Sequence, residues 1–446
     1  MKLDKAACPS RPSGERRPTW RLVNLALLLA LAAGAAWAQS TRTPAPAAAP
    51  ATPAPSTLQQ VFQAAWLRQP EAQSRQARQD AAQAQRQAAD AWTAEPISVE
   101  LSVKTDRLHR NQGGREDAAG LSFPLWLPHE RQRSAAVAQA QARVDASRVL
   151  AAQLRTAAVV REAYWQWQRA GVDHALARER MAATQHLAAD VAKRVKAGDL
   201  ARADQHQADG AVAAADAALA ESLAALATAA QALRALTGVP QVLNAAVTLA
   251  ADRLGERLLA TGADAAAGPS PHPALREWQD RLELARRAHE LAQVQTRANP
   301  ELTLEAARDR GEAQERYQQS LTLALRIPFG SDSRTRAKVA TAQAELIEAE
   351  SQLHLEQDRM QAELDSAHAR LDSAEVQGLA ADKRAQLARE SRSFLQKSYR
   401  LGETDLPTRL RIELEAVEAE RQARRARMDL GAAVSNLRQA QGLLPE

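Results

Sequence analysis

Two periodicities divide the chain. Apolar residues recur at successive sevens in Val339, Leu346, Leu353, Met360, Ala367, Ala374, Ala381, Ala388 and Leu395, and again in Val137, Val144, Ala151, Ala158, Trp165 and Val172. A seven-residue repeat keeps one seam of a helix against a neighbour and supercoils the pair to the left. The pattern predicts helices over Glu130–Lys196 and Asp332–Leu401, each about 100 Å long at ~1.5 Å per residue. Strict alternation marks a different kind of segment. Ile97, Val99, Leu101 and Val103 are separated by Ser98, Glu100 and Ser102, and the same period runs through Leu121, Phe123, Leu125 and Leu127. It returns in Leu302 and Leu304, and in Leu321, Leu323, Leu325 and Ile327 with Thr322 and Arg326 between them. These are four strands with one apolar and one polar face, in hairpins at about 97–127 and 301–329.

The elements occur twice in the same order. "LSFPLWLPHERQRSAAVAQAQA" at 121–142 lies over "LALRIPFGSDSRTRAKVATAQA" at 323–344, "AEPISVEL" at 94–101 answers "ANPELTLE" at 298–305, and "RVKAGDL" at 194–200 answers "SYRLGETDL" at 398–406. Anchors 202 to 204 residues apart imply a duplicated unit. Each copy reads helix (Leu58–Trp92; His272–Ala298), β-hairpin, very long helix, Gly-containing turn and return helix. The first copy spans 57–239 and the second 272–446. Residues 240–271, rich in Ala and Pro, form a connector expected to pack as a belt around the middle of the helices. The hairpin loops "KTDRLHRNQGGREDAA" and "RDRGEAQERYQQ" are rich in Gly and charge.

Composition narrows the fold class to mainly α with a small β part. Aromatic residues make up only 3% of the chain, thin material for compact cores but suited to helices packed through Ala. The formal charge of +5 owes +4 to residues 1–38, so the remainder carries +1 and has no basic block. Nucleic acid is therefore not an expected partner. Residues 1–38 themselves join a basic stretch ending at Arg21 to the apolar run "LVNLALLLALAAGAA" and the small residues of "AWA". This is the pattern of a secretory signal peptide cut after Ala38. The only cysteine, Cys8, would leave with it, so the mature chain is expected to hold no disulfide and no lipidated Cys. Residues 39–56 read as a Pro/Ala-rich linker. No later stretch offers about 18 uninterrupted apolar residues, so no second spanning helix is expected.

The strands suggest another route into a membrane. Alternating apolar and polar positions over about ten residues match the wall of a transmembrane β-barrel lining water. Four strands are too few to close one, and open edges in lipid leave backbone groups unsatisfied at several kcal/mol each. Closure therefore requires strands from other copies of the chain.

With the duplicated unit, the opening "TLQQVFQAAWLRQPE" at 57–71, the junctions "LSFPLWLPHERQR" and "LALRIPFGSDSRTR", and the turns "AGDLARAD" and "LGETDL", residues 57–443 resemble the TolC-type outer-membrane efflux proteins. The resemblance implies a homotrimer whose twelve-stranded outer-membrane β-barrel is continued by an α-helical barrel in the periplasm. It further implies a passive exit duct of a tripartite efflux system, fed by an inner-membrane pump of resistance-nodulation-division type through a periplasmic adaptor (membrane fusion) protein, and set in outer-membrane lipid. "AGDLARAD" resembles the metal-efflux branch. The turns would then be periplasmic tips where the adaptor docks and the duct constricts: Ala197, Gly198, Asp199 and Leu200 in the first, and Leu401, Gly402, Glu403, Thr404, Asp405 and Leu406 in the second. The glycines suit a left-handed helix terminus, with or without a partner. The second turn is expected to be two residues longer than the first.

Other candidates carry less. Tyr164, Trp165 and Trp167 fit a helical seam, and Trp126 fits a membrane-interface anchor. Asp405, Glu413 and Glu415 offer either an acidic ring in a trimer or a solvated face. No His, Cys or carboxylate run has metal-ligand spacing, and no nucleophile or phosphate-binding motif stands in a suitable context, so neither catalytic residues nor cofactors are expected. The competing readings are a coiled-coil scaffold, which leaves the strands without a role, and a periplasmic adaptor, which should have one hairpin flanked by compact β domains.

Overall fold

The computed structural model describes residues 57–108, 112–239, 272–330 and 332–446. The expected signal peptide, linker and connector lie outside these residues. The described chain is mainly helical with one small sheet. In order it comprises α1 (Leu58–Trp66), α2 (Pro70–Gln73), α3 (Arg75–Ala89), β1 (Ser98–Thr105), β2 (Arg115–Pro124), α4 (Glu130–Ala197) and α5 (Arg202–Thr237). Then follow α6 (Pro273–Val294), β3 (Glu301–Arg310), β4 (Gln318–Arg326), α7 (Asp332–Arg400) and α8 (Leu406–Ala440).

The expected first helix, Leu58–Trp92, is instead three pieces. Pro70 has no N–H to donate and pushes Gln69 into extended backbone (φ −70°, ψ 140°), which ends α1 before α2 begins. Thr57 caps α1 reciprocally with Gln60. The two long helices are 68 and 69 residues, about 100 Å each. α4 pairs with α5 and α7 with α8, while α6 bridges α4 to α7. The heptad seam is the packed face: Val144, Ala151, Trp165 and Val172 are buried on α4, as is Ala367 on α7.

One helix among the described residues, α5, is long and apolar enough to cross a membrane by length and composition, contrary to the sequence expectation. Its apolar character comes largely from Ala. Ala208, Ala215 and Ala230 are buried in contact with neighbouring helices, where a small side chain permits close approach.

The largest core lies midway along the helices. Leu58, Val61 and Phe62 of α1 meet Val160, Tyr164, Trp165 and Trp167 of α4, Leu226 and Leu233 of α5, and Met428 of α8. The aromatic cluster read from the sequence is therefore core. Beside it Arg161 is 1% exposed, and its guanidinium donates to Ser435 Oγ (3.1 Å), the Leu443 carbonyl (3.1 Å) and Gln439 Oε1. A buried guanidinium needs such partners to offset its lost hydration. His272 caps α6 by accepting the Ala274 N–H at 3.3 Å, and burial lowers its pKa, keeping the ring neutral and able to accept.

Trp165 sits on Gly431: a Cβ there would lie 2.5 Å from Trp165 Cη2, whereas one at Gly378 would touch nothing. Gly431→Ala should therefore cost about 1–3 kcal/mol by overpacking. Gly378→Ala should gain roughly 0.5–1 kcal/mol from helix propensity. Chemical denaturation of the detergent-solubilised protein checks both signs.

Candidate functional site: an open sheet and two helical tips

The strands form one antiparallel sheet in the order β1-β2-β3-β4, so β1 and β4 are both edges. Its register aligns the apolar residues into rows: Val99–Leu121–Leu304–Leu323, and beside it Leu101–Ala119–Ala306–Leu321. The intervening rows, Ser98–Ser122–Thr303–Ala324 and Glu100–Gly120–Glu305–Thr322, face the other way. Side chains that a soluble fold would hide stand in the open, with Leu101 77% and Leu321 73% exposed. An apolar face this continuous calls for an apolar medium.

The strands sit differently from the expected ones. β2 begins at Arg115 and ends at Pro124, so Leu125 and Leu127 lie beyond it. All four strands run into segments read as loops, because backbone pairing continues past the apolar rows to Thr105↔Arg115 and Arg115↔Arg310. Composition marks where the apolar band stops; hydrogen bonding marks where the strand stops.

Where the sheet meets the helices, Glu130 holds the junction. Its carboxylate, 3% exposed, accepts from the Leu127 N–H (3.0 Å), Gln295 Nε2 (2.8 Å) and Asn299 Nδ2 (3.0 Å), tying the end of one hairpin to the entry of the other. The preceding His129 is left-handed (φ 66°), which turns the chain sharply into α4. Trp126 Nε1 donates to the Ala91 carbonyl at 3.1 Å, and exposed Trp92 and Phe329 stand close to the same end of the sheet in sequence. Glu130 lay in plain view in "LPHERQR", but only the fold reveals the donors it collects.

At the far end both long helices stop in the same way. Gly198 and Gly402 are left-handed (φ 85° and 82°). The Asp199 N–H donates to the Arg194 carbonyl (2.9 Å), and the Glu403 N–H to the Ser398 carbonyl (3.0 Å). This is the Schellman arrangement. Helix resumes four residues after each glycine, at Arg202 and Leu406, so the expected two-residue extension of the second turn is absent.

The two tips pack together. Leu187, Val191 and Ala208 of the first hairpin enclose Tyr399 and Leu406 of the second, and the Tyr399 ring lies between Arg194 (5.0 Å) and Arg409 (4.5 Å). Leu406 is thus buried, whereas Ala197, Gly198, Asp199, Leu401, Gly402, Glu403 and Asp405 are exposed, and Leu200 and Thr404 are half-buried. Of the acidic candidates, Glu413 pairs with Arg392 at 3.4 Å, Asp405 stands at the α8 N-terminus, and Glu415 is exposed. Among the described residues no group of three or more His, Cys, Asp or Glu is arranged to hold a metal ion.

Residues 61–239 match the family model "Outer membrane efflux protein". The first of the two copies is thus similar to outer-membrane efflux proteins. Solved structures share its fold. A CusC structure superposes with a TM-score of 0.71 at 18% identity, covering 87% of this chain and 92% of that one. The MtrE outer membrane channel of Neisseria gonorrhoeae, in its open state, gives 0.70 at 16% identity over 86% and 89%. The outer membrane protein VceC of Vibrio cholerae gives 0.68 at 16% identity over 87% and 97%. No curated protein matches the sequence. The likeness of fold extends over most of the chain, and the family match over residues 61–239.

The junction yields the first functional test. Glu130→Ala strands three buried or half-buried donors, at about 1–3 kcal/mol for an unsatisfied group. It should lower the thermal unfolding midpoint of the detergent-extracted protein. Glu130→Gln keeps an acceptor and should lose less, and an equal loss for both would remove Glu130 from this role.

Proposed function

We propose that three copies of this chain form one continuous duct, a twelve-stranded barrel in the outer membrane prolonged by a helical barrel in the periplasm. The duct passively conducts substrates delivered by an inner-membrane pump, of resistance-nodulation-division type, through a periplasmic adaptor. The observation that carries this reading is the four-stranded sheet itself, with one exposed apolar face and two unpaired edges at the end of 100 Å helices. Neither edge can stay open in lipid.

Other exposed surfaces agree. α7 leaves Val376, Leu379, Leu387 and Phe394 in the open, which a neighbouring protomer would cover. The polar sheet face, with Ser98, Glu100, Thr303 and Thr322, suits a water-filled lumen. The paired tips at Gly198 and Gly402 would meet the adaptor through Ala197, Gly198, Asp199, Leu200, Leu401, Gly402, Glu403, Thr404 and Asp405. Leu406 would support them from below. The duplicated sequence would supply two similar docking turns per protomer, with Schellman bonds fixing their shape.

Leu401, exposed at the second tip, gives the test. Cells lacking this protein should become sensitive to the exported compound. Leu401→Arg should leave the protein at normal abundance in the outer membrane but fail to restore resistance. Full resistance with Leu401→Arg would remove this side chain from the docking surface. Unchanged sensitivity when the protein is deleted, across metal ions and drugs alike, would count against the duct.

A further inference from the structure

The sheet's apolar face ends in charge. Above the row Leu101–Ala119–Ala306–Leu321 comes Val103–Asp117–Arg308–Gln319, and beyond it Arg115 pairs directly with Arg310. Alternation puts Arg115, Asp117, Arg308 and Arg310 on the same face as the leucines. Like charges directly opposite each other repel, and here two guanidiniums share one carboxylate: Asp117 accepts from Arg115 at 2.8 Å and from Arg308 at 3.2 Å, while Arg310 donates to the Gly113 and Ala313 carbonyls at 3.1 and 3.4 Å. The Tyr317 ring holds Arg308 and Arg310 in place, at 4.3 and 4.9 Å. Nearby carboxylates are engaged elsewhere. Glu116 and Asp309 alternate to the lumenal face, Glu116 pairing with Lys104, while Asp106 and Glu315 accept loop N–H groups. Among the described residues, Arg107, Glu312 and Arg316 complete the charges of the adjoining loops.

The same rows pair small side chains with large ones. An open hollow of about 740 Å³ is bordered by this stretch of the sheet, by the row Leu101–Ala119–Ala306–Leu321 and by the alternate row Ser102–Ala118–Ala307–Ser320, with Asp117 and Arg308 towards the loops. Small Ala residues between two long Leu side chains leave a trough wide enough for a hydrocarbon chain, and the guanidiniums stand at its charged end. Arg115 and Arg308 keep 45% and 50% of their side chains exposed, so donors remain for an anion.

We propose that this trough binds a phosphorylated lipid of the outer leaflet. An acyl chain lies over Ala119 and Ala306, and a headgroup phosphate is held by Arg115, Arg308 and Arg310. Planar guanidiniums suit phosphate oxygens through paired N–H donors, and this end of the sheet points away from the periplasmic helices. The site rests on the barrel reading above, in which the apolar face meets lipid.

The test uses the full-length, detergent-extracted protein. Native mass spectrometry would count retained diphosphoryl lipid A against the same lipid stripped of its phosphates. The wild type should retain the phosphorylated form preferentially, and excess inorganic phosphate should not displace it. Arg115→Gln/Arg308→Gln/Arg310→Gln should weaken retention on the order of a hundredfold, from the loss of three surface cations. Ala306→Leu fills the trough with the charges intact and should also reduce binding. Equal retention of both lipid forms by the wild type, or unchanged retention by both variants, would overturn the site. The wild type's mass and membrane fraction are read in the same preparation. Absence of an outer-membrane oligomer there would mean that the barrel reading itself has failed, while a normal oligomer without lipid preference would reject the site alone.

Discussion

An unpaired strand edge is tolerable in water and costly in lipid. Along β1 and β4 one side of each backbone has no strand partner among the described residues, and the exposed Val and Leu rows argue against leaving that backbone to water. Apolar face and open edge make opposite demands on solvent, since the first needs lipid and the second needs hydrogen-bond donors and acceptors. A closed ring of identical sheets meets both. In the proposed assembly that constraint accounts for the oligomer, the lumen lined by the polar rows, and the need for a firm joint between sheet and helices. Glu130 provides that joint within each chain, gathering donors from both hairpins.

The helical part solves a different problem, that of length without bulk. Seams rich in Ala let α4–α5 and α7–α8 lie close together over about 100 Å, with aromatic residues concentrated in one central core around Trp165. Cohesion is local elsewhere: a tip cluster built on Tyr399 and Leu406, and Ala seams around Ala385 and Ala419. Such a chain has large exposed surfaces, the apolar residues along α7 among them, which neighbouring copies would cover in the proposed assembly.

Much of this was legible in the sequence because two periodicities differ so plainly. The sevens of Val339 to Leu395 and the alternation of Ile97 to Val103 located the long helices and the strands, and Gly198 and Gly402 located the reversals. The errors have physical causes. Arg115, Asp117 and Arg308 looked like loop because strand pairing persists above the apolar band. The first helix was read through Pro70. Ala-rich α5 was not flagged as apolar, since its Ala residues are interrupted by charge. Matching "DL" to "DL" in the turns concealed that both helices resume at the same distance from glycine. Glu130 and Arg161 went unremarked because a buried charge is recognised by its partners, which lie far off in sequence.

The most direct test of the shared barrel is covalent. The mature chain is expected to lack cysteine, so single cysteines can be placed on β1 and paired one at a time with cysteines at successive positions of β4, then oxidised in intact outer membranes. Closure between protomers predicts a ladder ending at three chains on a denaturing gel, strong for one register and weak for its neighbours. Disulfides within single chains only, or none at any register, would contradict it.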